Sequence, residues 1–185
     1  MNPLRSLVRR LRPLWMPTTL TVVVIGMSAL HANPPSEAQL KGAYLYQFTR
    51  FVTWPASAFA HDRDPFRLCV FGPDTLGPIL NALGNKSVGS HPIAIRHPDT
   101  PADTLDCHLL FVARSEHEHL PAILATLQEK PVLTVGDQPE FASQGGMIHF
   151  MRVNDTLRFT INQEVALQSG LTIHATLLQV GHVLK

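Results

Sequence analysis

Apolar positions after residue 35 follow first a helical and then a strand-like period. Winding the segment from Ser36 at about 100° per residue puts Leu40, Tyr44, Phe48, Phe51 and Val52 on one stripe, with Leu45 beside it. Ser36 and Gln39 stand three apart, as in a capping box, and Pro55 cannot continue the helix. The stripe is expected to be core. Tyr46, Arg50 and Trp54 fall on other faces, so core packing leaves Tyr46 and Trp54 without a reason to be aromatic. Two readings stay open for them: a patch that meets a partner, or burial under a second layer such as the terminal helix or a dimer mate.

From Pro65 onward the pattern shortens. PFRLCVFG (65–72), Ile93–His97, CHLLFVA (107–113) and PVLTVGD (131–137) read as strands. Helices are expected between them, from Asp74 to Leu83 with Gly84 closing it, and from a Ser115–Glu118 capping box to about Glu129. Continuous apolar strands alternating with helices indicate a largely parallel sheet covered on both faces. Residues 145–162 read as a hairpin around Asn154-Asp155, followed by a short helix from Gln163 to Ser169. His174 to Leu184 reads as a terminal amphipathic helix with Leu177, Leu178 and Val180 facing inward. The expected class is therefore α/β: a single domain with a mostly parallel central sheet flanked by helices, ending in a β-hairpin and a helix.

The N-terminal end carries a different signal. Arg5, Arg9, Arg10 and Arg12 precede an apolar run of eleven residues, Leu20 to Leu30, and Ala32 offers a small residue at a cleavage site. That run fits a signal-peptide core and is short for a membrane span. The expected division is a signal peptide at 1–32 and an exported domain at 33–185; an uncleaved anchor is the competing reading. Four of the 15 Lys and Arg lie in the leader, leaving 11 against 14 acidic residues, a formal charge of −3. A mildly acidic domain with no basic stripe argues against nucleic acid as a partner. Cys69 and Cys107 are the two cysteines, and in an exported chain an even count favours a disulfide over two buried thiols.

Little catalytic chemistry is visible. GPDTLG (72–77) lies where a nucleotide loop would, but lacks both the Lys-Ser/Thr ending and the G-x-G-x-x-G spacing. In RSEHEH (114–119), His117 and His119 are two apart, so on a helix they diverge, and H-E-x-x-H is absent. The other histidines are scattered. No catalytic residue, metal site or cofactor is expected, and the chain does not read as an enzyme.

Taken in order, KGAYLYQFTRFVTWP, PFRLCVFG, CHLLFVARSE, PVLTVGDQPEFASQGGMIHF and LRFTINQEVALQSGLTIHATLLQV resemble the YfiR family of small exported bacterial proteins, from about Leu40 to Val183. The resemblance implies a periplasmic repressor that binds the periplasmic sensing domain of an inner-membrane diguanylate cyclase. It would thereby lower cyclic-di-GMP and biofilm formation. It also implies an outer-membrane lipoprotein able to sequester the repressor, and a Cys69–Cys107 bridge. Some relatives carry a second cysteine pair near GGMIHF, which this chain lacks. Interfaces favour aromatic residues and arginine, which makes Tyr46, Arg50 and Trp54 the candidates for the partner-facing patch. A homodimer is also compatible with such a patch. The alternative function is a periplasmic small-molecule-sensing domain that reports to a membrane signalling partner.

Overall fold

A computed structural model of the chain describes residues 34–73 and 76–184. The expected leader at 1–32 and the expected helix start at Asp74 lie outside those residues. The first helix, α1 (Glu37–Phe51), begins with the capping box: the Ser36 hydroxyl accepts from the Gln39 amide, and the Gln39 side chain accepts from the Ser36 amide. These two bonds satisfy amides that the first turn otherwise leaves open. After α1 come β1 (Val52–Thr53), a 3-10 turn at Ala56–Ala58 and β2 (Phe66–Phe71). There follow α2 (Pro78–Gly84), β3 (Ser87–Val88), β4 (His91–Arg96), a second 3-10 turn at Pro101–Asp106 and β5 (Leu109–Val112). The chain continues through α3 (Leu120–Thr126), β6 (Leu133–Gly136), β7 (Ile148–Val153), β8 (Thr156–Ile161) and α4 (Gln163–Gln168). It ends with β9 (Thr172–Ile173), α5 (Ala175–Val180) and β10 (His182–Val183).

Eight strands form one sheet in the order β10-β8-β7-β6-β5-β2-β4-β3, while β1 and β9 pair as a separate antiparallel ribbon. Within the large sheet, β7–β8 and β3–β4 are antiparallel and the other neighbours are parallel. The fold is therefore mixed α/β with a mostly parallel sheet, as the apolar runs require. In β2 the period of two divides the side chains: Phe66, Leu68 and Val70 join the core under α1 and α2, whereas Cys69 and Phe71 join the core under α3. Burial on both faces explains why this strand reads as an unbroken apolar run. Between β7 and β8, Asn154 and Asp155 have φ of 48° and 58°, the paired left-handed geometry of a tight hairpin turn.

Three local expectations are corrected. The α1 stripe is rotated toward Leu45, which is fully buried with Phe48 and Val52, while Leu40, Tyr44 and Phe51 are half-buried at its margin. The cause is α2: a side chain at Gly42 would collide with the Ile79 branch methyl, so α1 leans onto α2 along its Gly42 edge. Next, Ser115 does not cap a long helix. Residues 114–116 form a 3-10 turn and α3 starts at Leu120, with Pro121 in its first turn, where a missing amide costs nothing. Last, the terminal helix stops at Val180, which is 65% exposed rather than inward. Gly181 passes so close to Phe159 and Ile161 that any side chain there would clash. The chain then turns to lay His182–Val183 parallel to β8 as an edge strand.

Candidate functional site

The three residues singled out from the pattern do not share one environment. Tyr46 is half-buried at the rim of the core, and the Lys86 ammonium lies 5.1 Å above its ring. A cation over an aromatic face at this distance is attractive. Arg50 is exposed in the last turn of α1, where a cation suits the negative end of the helix dipole. Among the described residues, neither the Arg50 guanidinium nor the Lys86 ammonium pairs with an acid. One turn apart on α1, Tyr46 and Arg50 make an aromatic and cationic strip that Lys86 extends.

Trp54 belongs elsewhere, which corrects its placement with the other two. It is 9% exposed, its ring meets Phe66 edge-on at 4.9 Å, and its indole N–H donates to the His108 carbonyl at 3.0 Å. Its aromatic character is explained by the core, against Phe66 of β2 and the residue before β5 and not under a terminal helix or a dimer mate. What the sequence did not show was that the helix ends at Phe51, four residues before Pro55: Val52–Thr53 are strand, so Trp54 no longer follows the 3.6-residue period.

Behind Trp54 lies a column of rings. Phe59 stacks on His91 at 4.0 Å and on His108 at 4.5 Å, and the other side of His108 faces Phe66 at 5.1 Å. His108 is nearly inaccessible; burial first, then the Arg67 and His91 charges, hold its imidazole below the ordinary histidine value against the pull of the Ala58 carbonyl. Spacing alone gave no sign of this column, because its members come from four separate stretches.

A second polar cluster anchors the start of α1. The Lys41 ammonium contacts Glu37 at 2.7 Å and Asp137 at 2.5 Å, and Arg152 bridges Glu37 and Asp155 at 3.0 Å each. Burial would push the Lys41 ammonium down, but hydrogen bonds from it to Asp137 and Glu37 outweigh that and hold it above the ordinary lysine value. The chain thus ties the first turns of α1 to the loop after β6 and to the β7–β8 hairpin.

Cys69 and Cys107 are joined by a disulfide with Cα atoms 5.9 Å apart, inside the range such a bond needs. It links β2 to the residue that follows the second 3-10 turn, two positions before β5. The bridge borders a cavity of about 580 Å³ whose other walls include Arg67, Arg96, His97, Asp99 and Asp103. His117 and His119 do not converge: the His119 ring pairs with Glu116 at 2.8 Å, while His117 is exposed. Among the described residues no group of three or more His, Cys, Asp or Glu is arranged to hold a metal ion. Nor, among them, is any helix long and apolar enough to cross a membrane.

Beside an α/β domain, a bridged β2 and a half-buried ring flanked by two cations, the sequence matches the YfiR/HmsC-like family model over residues 38–182, and the chain belongs to that family. Membership suggests a periplasmic regulator of cyclic-di-GMP signalling from a regulatory, non-catalytic family. No curated protein matches the chain.

Proposed function

We propose that the chain is a periplasmic repressor that binds the periplasmic sensing domain of an inner-membrane diguanylate cyclase and so lowers cyclic-di-GMP and biofilm formation. The observation that carries this reading is the strip of Tyr46 and Arg50 on α1 with Lys86 from the loop after α2: ring surface with two cations that, among the described residues, have no acidic partner. Aromatic and arginine side chains are the types that dominate binding energy at protein interfaces. The strip calls for a partner surface offering carboxylates around an apolar centre. Release of the cyclase would follow when an outer-membrane lipoprotein takes up the repressor. Deleting the gene should raise cellular cyclic-di-GMP and attachment, and the wild-type chain supplied back to the periplasm should reverse both. Unchanged cyclic-di-GMP on deletion overturns the proposal.

A further inference from the structure

His108 is bonded through both ring nitrogens and its own amide. Nδ1 accepts the Arg67 amide hydrogen at 2.9 Å, and the His108 amide donates back to the Arg67 carbonyl at 2.9 Å. Nε2 lies 2.9 Å from the Ala58 carbonyl, which can only accept, so Nε2 carries the proton and the ring is neutral. The ring is thereby a two-sided clip between β2 and the segment after α1. Phe59 closes over it, and His91 closes over Phe59 while its Nδ1 donates to the Asp64 carbonyl at 2.7 Å.

His91 Nδ1 donates to a carbonyl and accepts nothing, so this bond does not depend on a bare ring nitrogen as the Nδ1 bond of His108 does. His108 has nowhere to put a second proton. A hydrogen on Nδ1 would face the Arg67 amide hydrogen, leave that part-buried amide without an acceptor, and place a charge in a nearly inaccessible site. The charged groups around it do not relieve this. Arg67 on β2 and His91 on β4 oppose an imidazolium, and among the described residues Asp64, at the end of the clipped segment, is the single acid that favours it.

We propose that His108 is an acid-sensitive latch: while neutral it holds residues 55–64 against the sheet, and its protonation releases that segment. Release uncovers the rings of Phe59 and Phe66 and slackens the chain just beyond the end of α1. The sign follows from linkage. A released imidazole titrates near its ordinary value and the latched one below it, so the latch is at full strength above the ordinary value and weakens as pH falls beneath it. With a released value of about 6.5, opening at pH 5 is favoured up to about 30-fold over pH 8.

The test is amide hydrogen exchange on the whole chain at pH 8 and pH 5, corrected for intrinsic rates. Protection of residues 56–64 should fall by up to about 30-fold while the β5 amides keep theirs, and His91→Gln should leave this response in place. His108→Gln should abolish the pH dependence. Should that variant not fold, nitrogen NMR of the wild-type imidazoles decides: His108 should remain the neutral Nε2–H form until the segment opens. Titration of His108 with segment protection intact, or loss of protection spread equally over β5, overturns the latch.

Discussion

The indole N–H of Trp54 donates to the main-chain carbonyl of His108 across 3.0 Å, joining the residue after β1 to the residue before β5. The bond couples the exit of the first helix to the middle of the sheet, next to the disulfide. Removing the donor alone, in Trp54→Phe, should cost about 1 kcal/mol, and Trp54→Ala, which also empties the ring's site, about 3–5 kcal/mol. Denaturant unfolding checks both values. An alanine variant as stable as wild type would mean that the ring is not core.

Lys41 is nearly buried between two carboxylates, so removing it leaves Asp137 without its cation. Lys41→Met should lose about 3–5 kcal/mol, and adding Asp137→Leu should recover a good part of the loss. The acid limb of stability gives a second check. The Lys41 hydrogen bond holds Glu37 below its ordinary value of 4.5, so this contribution is present above that value and disappears as pH falls through the lowered one. In Lys41→Met this part of the acid-induced loss should flatten.

The disulfide spans 38 positions, a loop whose closure stabilises a fold by about 4 kcal/mol in the chain-entropy account. For a domain of this size the equivalent drop in Tm is about 8–16 °C. Calorimetry with and without reductant, and of Cys69→Ser, should give the same shift in each comparison. No shift would show that the bridge does not brace the fold.

Gly181 lets the chain run against Phe159 and Ile161, and β10 depends on that approach. Gly181→Val should cost about 1–3 kcal/mol and strip exchange protection from the Leu184 amide, which donates to Ile161 at 2.9 Å. Protection of the β7–β8 hairpin should persist.

The parallel sheet was readable because its central strands are buried on both faces and so appear as uninterrupted apolar runs. The hairpin was readable because Asn154-Asp155 tolerates left-handed backbone. What escaped was governed by contacts distant in sequence. The rotation of α1 comes from Ile79 against Gly42, the stop at Val180 from Phe159 and Ile161 against Gly181, and the burial of Trp54 from Phe66 and His108. None of these leaves a local period. The candidate strip was half legible: Tyr46 and Arg50 follow from helical winding, but Lys86 reaches Tyr46 from the loop after α2. The ring column was invisible for the same reason, since each histidine looked solitary along the chain.

The most direct measurement is binding of the purified chain to the periplasmic domain of the proposed partner, a membrane diguanylate cyclase, comparing wild type with Tyr46→Ala/Arg50→Glu. The double variant should weaken binding by 2 kcal/mol or more, about 30-fold in Kd, with Tm close to wild type. Undiminished affinity in a folded double variant, or no binding by the wild-type chain, would contradict the account.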